Sequence, residues 1–226
     1  MNLRIVTATR EPEERFATHT ALGRSLALIC QHADLRLFPS NSLGLPIVYN
    51  IAIREAAYDP AILVFVHDDV EIIDYFWQDH IRAGVVAFDL IGLAGNTRRV
   101  PNQHSWAIID CDDYQAGRDV PYLSGTIGHD DEYGRYPNVF GPSHKEVKLL
   151  DGVMLACQSN TLLSAGLRFD ERFDFHFYDL DMCRQFEAKG LHIGTWGVSM
   201  VHSSRGAFCS PEWQANRDRY FAKWCS

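Results

Sequence analysis

Short apolar runs alternate along most of this chain with stretches in which apolar residues recur three and four positions apart. A short unbroken run predicts a buried strand, and the longer spacing predicts a helix with one apolar face. Strands are predicted at Leu3–Thr7, Leu35–Phe38, Ile62–Val66, Leu90–Ala94, Gly152–Cys157, His192–Trp196 and Val198–His202. Helices are predicted at Glu13–Cys30, from near Pro46, and at Tyr75–Ala83, Asn160–Ala165, Tyr178–Lys189 and Pro211–Lys223. This alternation indicates an α/β fold with a mostly parallel central sheet.

The segment from Arg98 to Lys148 does not follow this pattern. Prolines and glycines are frequent there, and aromatic and acidic residues alternate irregularly. We therefore predict a loop-rich, variable region with at most a short strand at Trp106–Ile109. No internal repeat or linker interrupts the chain, so its 226 residues are expected to form a single domain.

Composition narrows the class of protein. With 46% hydrophobic and 22% charged residues the chain is an ordinary globular protein. A net charge of −8 without a Lys/Arg-rich block argues against nucleic acid as a partner. No window is long and apolar enough for a transmembrane segment, and the N-terminus lacks a signal-peptide pattern, so a cytoplasmic location is expected. Peripheral membrane association stays an open alternative.

The cysteines argue against a disulfide framework or a structural zinc site. They are scattered without a CxxC pair, which favours free thiols in a reducing compartment. The six positions are Cys30, Cys111, Cys157, Cys183, Cys209 and Cys225.

Two adjacent carboxylates, Asp68 and Asp69, follow the predicted strand Ile62–Val66 directly. Ligands of open α/β sheets bind beyond the carboxyl ends of the strands, and paired carboxylates suit a hard cation such as Mg²⁺ or Mn²⁺. The alternative is structural, because Asp69 or Asp74 would also serve as the cap of the next helix. The pair alone does not decide between these interpretations.

A second acidic pair, Asp179 and Asp181, lies in the first turn of a predicted helix. Carboxylates there complement the helix dipole, which is a sufficient structural reason for them. A carboxylate at a helix start beside a cleft would also suit a general base. His202 closes the predicted strand Val198–His202, where a structural role and a metal-ligand role are both open.

The order of these motifs is more informative than any one of them. Gly44-Leu45 and Asn50 precede the strand that ends in His67-Asp68-Asp69. Later come Asp151-Gly152, Phe169-Asp170-Glu171, Tyr178-Asp179-Leu180-Asp181, Arg184, Gly190 and His202. In this order the chain resembles a GT-A-fold glycosyltransferase of the family 2 type, particularly the bacterial glycosyltransferase-like branch. His67 stands where that family has the first acid of its DxD-type motif, and Tyr178 departs from the acid that precedes the catalytic aspartate.

The resemblance implies a GT-A fold, a Rossmann-like three-layer αβα arrangement. It also implies inverting transfer of a sugar from a nucleotide-diphosphate donor, with a UDP-sugar expected, to a glycan or other hydroxyl acceptor. Asp179 would be the general base, and Mn²⁺ or Mg²⁺ would be held by Asp69, Asp68 and His202. Donor contacts are expected from residues 1–97, namely Thr7, Thr9, Arg10, Asn50 and His67. Acceptor contacts are expected from residues 98–226, namely Asp151, Gly152, Asp181 and Trp106.

Further candidates rest on residue type alone. Trp106, Tyr122 and Tyr133 are expected as stacking surfaces for sugar rings, against core packing as the alternative. The candidate phosphate-binding residues are Arg98, Arg99 and Arg205. Exposed arginines often have no specific role, which is the alternative.

Two other functions compete with a transferase. One is a catalytically silent nucleotide- or sugar-binding module of the same fold, suggested by His67 and Tyr178 standing where acids are expected. The other is a metal-dependent hydrolase or nucleotidyltransferase, with Asp68 and Asp69 binding two ions.

Overall fold

The computed structural model of the protein describes residues 1–29, 33–109, 117–132, 134–204 and 209–224. Its strands are β1 (Asn2–Ala8), β2 (Asp34–Phe38), β3 (Ala61–Val66), β4 (Val70–Ile72), β5 (Leu90–Gly92), β6 (Ala94–Asn96), β7 (Leu123–Asp131), β8 (Gly134–Gly141), β9 (Glu146–Val147), β10 (Leu149–Leu150), β11 (Met154–Gln158), β12 (Ile193–Thr195) and β13 (Met200–His202). Its α-helices are α1 (Glu13–His19), α2 (Ala21–Ile29), α3 (Leu45–Glu55), α4 (Trp77–Ala87), α5 (Ser159–Ala165), α6 (Tyr178–Ala188) and α7 (Pro211–Trp224).

The central sheet has seven strands in the order β2-β1-β3-β11-β5-β12-β9. All six residues of β3 are buried, as its unbroken apolar run predicts. β1 is parallel to both β2 and β3, and β12 is parallel to β5. β11 enters antiparallel between β3 and β5, so the parallel pairs lie on either side of it. Helices α3, α4 and α5 pack on this sheet.

A second sheet has the order β10-β6-β7-β13-β4, with β8 paired to β7. The strand predicted at Leu90–Ala94 is divided between the two sheets: β5 belongs to the first and β6 to the second. The second sheet also carries the chain immediately after β3 and the end of β13, and His202 pairs there with Val70. It therefore brings two distant parts of the chain to the same edge.

The segment predicted as one helix over Glu13–Cys30 contains two helices in its described part. Thr20 separates them with an extended backbone (φ −102°, ψ 153°). Its hydroxyl donates to Phe16 O at 2.8 Å and accepts from Gly23 N at 2.9 Å, so one side chain closes α1 and caps α2. The break also allows Leu22 N to donate to Asp68 O at 3.0 Å.

The prediction of a loop-rich region is wrong for residues 123–131 and 134–141, which pair as the antiparallel strands β7 and β8. The register shifts at Gly125, whose φ of +96° few other residues adopt. Most of β8 is exposed, so it lacks the apolar alternation that would indicate a strand. The strand predicted at Trp106–Ile109 is reduced to a single bridge between Ile108 and Arg118.

No described helix is long and apolar enough to span a bilayer. Among the described cysteines, Cys157, Cys183 and Cys209 are free thiols. The other three, Cys30, Cys111 and Cys225, lie outside the described residues.

Candidate active site

The turn after β3 carries the first group of candidate residues. His67 N donates to Val153 O at 3.3 Å, which extends the pairing of β3 with the chain before β11. Asp68 O accepts the amide of Leu22 at the start of α2. The backbone of the turn is thus held by two neighbouring segments, and its side chains lie at the carboxyl end of the buried strand.

A compact donor set forms beside this turn. One ligand atom each of His67, Asp69 and His202 lies within 4.8 Å of the others. Asp69 Oδ1 is buried without a hydrogen-bond partner, and it lies 3.3 Å from His202 Nε2, with which it forms an ion pair when that ring is protonated. A buried carboxylate oxygen without a partner is unfavourable unless a cation approaches it. Two imidazoles and a carboxylate fit a divalent transition metal such as Mn²⁺.

The charges in this cluster support each other. Burial raises the pKa of Asp69, but His202 outweighs it and the pKa lies below its usual value. Burial lowers the pKa of His202, whereas Asp69 raises it more, with a net upward shift. Burial lowers the pKa of His67 below its usual range, so this ring is neutral near neutral pH.

A cleft of about 710 Å³ opens on one side of the cluster. Its lining includes Thr9, Arg10, Asp68 and Asp69. Burial raises the pKa of Asp68, and a hydrogen bond with Thr9 acts in the opposite direction. The cleft is therefore lined by two partly buried carboxylates and the exposed Arg10, and we call it the donor cleft.

A second cleft of about 370 Å³ lies on the other side of His67. It contains Trp106, Asp151, Gly152 and Asp179, and we call it the acceptor cleft. Asp179 is partly exposed to it, and its Oδ2 accepts Gly152 N at 2.9 Å. Desolvation, with the negative charge of Asp151, raises the pKa of Asp179 to about 7.

Trp106 fixes the neighbouring carboxylate. Its indole N–H donates to Asp151 Oδ2 at 2.5 Å, and Asp151 Oδ1 accepts Val153 N at 2.8 Å. The Trp106 ring meets Phe140 edge to face, with centroids 4.8 Å apart. Trp106 thus holds Asp151 in place and lines the cleft with little of its surface exposed.

His67 and Phe175 line both clefts. Their rings stack with centroids 5.6 Å apart and form a partition between the two spaces. Residue type alone does not single out Phe175; its only local signal is its position in the aromatic stretch before α6. The donor set spans this partition: Asp69 lines the donor cleft, His202 lines the acceptor cleft with Asp179, and His67 lines both.

The sequence of residues 41–224 matches the model of a family described as glycosyltransferase-like. The chain belongs to this glycosyltransferase-like family. The predicted enzyme class is thereby confirmed at the level of the family, and the match includes the residues of the donor set and Asp179. No curated protein matches the chain significantly.

Solved structures confirm the predicted GT-A class of fold. TarS residues 1–349 from S. aureus in complex with UDP has a TM-score of 0.57 at 15% identity, over 99% of this chain and 65% of that one. The same fragment with UDP-GlcNAc gives 0.56 at 13% identity, over 99% and 66%. GalNAc-T7 with UDP, GalNAc and Mn²⁺ gives 0.53 at 12% identity, over 99% and 49%. This family member thus spans less than two thirds of the length of these three structures.

Some residues assigned from the resemblance to the family lie apart from the two clefts. Thr7 is fully buried, and its hydroxyl has no hydrogen-bond partner. Asn50 is also buried, and its amide bonds Phe169 O at 2.8 Å, Phe169 N at 3.0 Å and Glu171 Oε1 at 2.9 Å. Neither residue is among those that line the donor cleft.

Asp181, assigned to the acceptor, is fully buried under α7. Its carboxylate is 2.7 Å from Lys223 Nζ and accepts the Trp224 indole N–H at 2.8 Å. Gln185 Nε2 donates to the other carboxylate oxygen, Asp181 Oδ2, at 2.8 Å. These contacts make Asp181 an anchor for the C-terminal helix within this fold.

The remaining candidates are engaged elsewhere. Arg98 pairs with Asp119 at 2.5 Å and covers the ring of Tyr122, and Arg99 pairs with Glu187 at 2.9 Å. None of Arg98, Arg99 and Tyr122 lines either cleft. Tyr133 and Arg205 lie outside the described residues.

Proposed function

We propose that the chain is a metal-dependent inverting glycosyltransferase that moves a sugar from a UDP-sugar to the hydroxyl of a glycan or other acceptor. The observation that supports this function most directly is the arrangement of the two clefts around His67 and Phe175. Asp69 of the cation-binding donor set lines the donor cleft, and Asp179, with a pKa of about 7, lines the acceptor cleft. The two imidazoles of the set lie between them, His202 on the acceptor cleft and His67 on both. Displacement at a sugar carbon needs a leaving-group site and a base on opposite faces of that carbon.

The donor would occupy the larger cleft. Residues 1–97 supply Arg10, Thr9 and Asp68 to it, so we assign the nucleotide to this half of the single domain. TarS has been solved with UDP and with UDP-GlcNAc, and GalNAc-T7 with UDP, GalNAc and Mn²⁺. These ligands support UDP as the nucleotide.

Asp69, His202 and His67 would hold the divalent cation, with Mn²⁺ preferred over Mg²⁺ because two of the ligands are imidazoles. When bound, the ion supplies positive charge that stabilises the departing diphosphate. Asp68 lies outside this donor set among the described residues, so we assign it to the donor together with Thr9.

In the chemical step, Asp179 would accept the proton of the acceptor hydroxyl. The acceptor hydroxyl would lie in the smaller cleft, which Trp106, Asp151 and Gly152 also line. Its oxygen forms a bond to the anomeric carbon while the bond from that carbon to the diphosphate oxygen breaks. Asp179 accepts the hydroxyl proton, the electron pair leaves with UDP, and the configuration at the carbon is inverted. A base whose pKa is near the working pH is well matched to this transfer.

A thermal-shift panel tests the donor assignment. Wild-type protein is heated with UDP, GDP, CMP and dTDP, each with and without Mn²⁺. We expect the largest shift from UDP with Mn²⁺, because a ligand at about 100 times its Kd stabilises the folded state by about 2.7 kcal/mol. The absence of a Mn²⁺-dependent shift for every nucleotide would contradict the proposal.

A turnover assay separates transfer from the alternatives. The protein is incubated with Mn²⁺, UDP-GlcNAc or UDP-GalNAc, and a panel of glycan acceptors, and released UDP is measured. Release that depends on an acceptor supports transfer. Release that is independent of acceptor favours the hydrolase, and binding without release favours the silent module. The exposed Asp79→Asn variant is the matched control for carboxylate substitutions, since 79% of the Asp79 side chain is accessible.

A further inference from the structure

Two residues at which this chain departs from the family pattern contact each other. His67 Nε2 lies 2.8 Å from the hydroxyl oxygen of Tyr178, although 111 positions separate the two residues. The same hydroxyl donates to Gly152 O at 2.8 Å. Tyr178 is buried, so water does not compete for these contacts. The departures at His67 and Tyr178 therefore form one connected unit.

The proton positions in this unit follow from the number of donors. A tyrosine hydroxyl carries one proton, and a carbonyl oxygen can only accept. If Tyr178 donated to His67, its oxygen would face Gly152 O at 2.8 Å with no proton between two acceptors, which is unfavourable when buried. Tyr178 therefore donates to Gly152 O, and His67 Nε2 carries a proton that it donates to Tyr178.

We propose that Tyr178 is a positioning residue that fixes His67 as the Nε2–H tautomer and so reserves its Nδ1 lone pair for the divalent cation. This inference rests on the proposed metal role of His67. Ligating histidines generally donate their second ring N–H to a protein acceptor, which fixes the ring and its tautomer. Here the acceptor is a phenol oxygen whose own proton is held by a backbone carbonyl.

Gly152 is part of the same arrangement. A Cβ at this position would lie 2.6 Å from the Tyr178 hydroxyl and 2.9 Å from Asp179 Cβ. Any larger residue would push Tyr178 away from His67. The stacking of Phe175 on His67 restrains the ring from its other face. Packing and hydrogen bonding thus orient one ligand from the acceptor side of the partition.

The direct test is the tautomer of His67 in the metal-free wild-type protein. Long-range ¹H–¹⁵N correlation spectra of histidine-labelled protein distinguish a protonated from a bare ring nitrogen. We expect Nε2 to be protonated and Nδ1 to be bare. A predominant Nδ1–H tautomer would overturn the inference, and this test needs no variant to fold.

A variant tests the consequence for metal binding. Tyr178→Phe keeps the ring and removes the hydroxyl, and we expect Mn²⁺ affinity, measured by calorimetry in the presence of UDP, to fall by about 10–100-fold. The control Tyr220→Phe removes another buried hydroxyl from a ring that packs on Phe177, and should leave the affinity unchanged. Equal affinity of Tyr178→Phe and wild type would contradict the positioning role.

The two readouts distinguish this inference from the proposed function. If the wild type binds Mn²⁺ and UDP but His67 is the Nδ1–H tautomer, the positioning role fails and the transferase proposal stands. If the tautomer is as expected but no nucleotide binds with Mn²⁺, the transferase proposal fails, and with it the purpose assigned to the tautomer.

Discussion

Asp69 in the donor cleft and Asp179 in the acceptor cleft are the same residue type with opposite electrostatic settings. Both are partly buried. Asp69 is beside His202 and His67, and these rings hold its pKa below the usual value despite burial. Asp179 is beside Asp151, and desolvation together with that negative charge raises its pKa to about 7. Neighbouring charge, and not burial alone, separates the two carboxyl groups.

This difference in pKa suits two different roles, cation binding for Asp69 and proton transfer for Asp179. A carboxylate that stays ionised can hold a cation at any physiological pH, whereas one that titrates near pH 7 can accept a proton and later release it. Two carboxyl groups with separated pKa values are a general sign of distinct roles in one site.

Replacement of the base should have the largest effect. Asp179→Asn retains an oxygen that can accept Gly152 N but cannot take up the proton of the acceptor hydroxyl. We expect the transfer rate to fall by about 10²–10⁴-fold, while UDP affinity with Mn²⁺ stays unchanged. Turnover is measured by UDP release, with Asp79→Asn as the control. Turnover close to that of wild type would remove Asp179 as the base.

Replacement of the proposed metal ligand Asp69 should mainly weaken the binding of UDP with Mn²⁺. Asp69→Asn removes the negative charge from the donor set, and we expect Mn²⁺-dependent UDP affinity to fall by about 100-fold or more, since even indirect partners of a metal ligand contribute 10–100-fold. Calorimetry with and without Mn²⁺ measures this change. An unaltered response to Mn²⁺ in the variant would exclude Asp69 as a ligand.

The pH dependence of turnover should report Asp179. The base acts when deprotonated, so kcat/KM should fall about tenfold per unit below the pKa of about 7 and level off above it. Asp151→Asn removes the nearby negative charge, and the profile should then move to lower pH. A profile that is flat between about pH 5 and 8, or that moves to higher pH in the variant, would contradict this assignment.

The smallest effect concerns stability. The pKa of Asp179 is raised from 3.8 to about 7 in the folded state, so the folded protein binds an extra proton between these values and loses stability as pH rises through them. At about pH 8 the ionised carboxylate is unfavourable, and Asp179→Asn should raise the free energy of unfolding by about 1–3 kcal/mol. Below about pH 4 the gain should vanish. Denaturant unfolding at the two pH values measures it, and equal gains would contradict the raised pKa.

Sequence patterns predicted the elements that carry a clear local signal and missed those that lack one. β3 and α5 were predicted closely because a continuous apolar run and the terminal Gly166, with φ +66°, are local signals. The β7–β8 strand pair was missed because the exposed faces of β8 carry no apolar alternation. The division of Glu13–His19 from α2 depends on the Thr20 hydroxyl, which a helical spacing does not reveal.

The acidic residues of the site could be predicted from the sequence, but the residues that contact them could not. Strand ends and helix starts place Asp69 and Asp179 from local sequence alone. The contact of His67 with Tyr178 joins two segments that only the packing of α6 against the end of β3 brings together. Asp181 lies two positions from Asp179 in the same helical turn, yet it points to Lys223 and α7. Which neighbour each carboxylate meets is decided by tertiary structure.

The comparison of the two carboxyl groups can be measured directly by ¹³C NMR titration of the side-chain carboxyl resonances of Asp69 and Asp179 in the metal-free protein. We expect Asp179 to titrate near pH 7 and Asp69 to titrate below the ordinary aspartate range. Addition of Zn²⁺, a diamagnetic probe, should shift the resonance of Asp69 and leave that of Asp179 nearly unchanged. Titration of both groups near pH 4, or a Zn²⁺ response confined to Asp179, would contradict the division of roles between the two clefts.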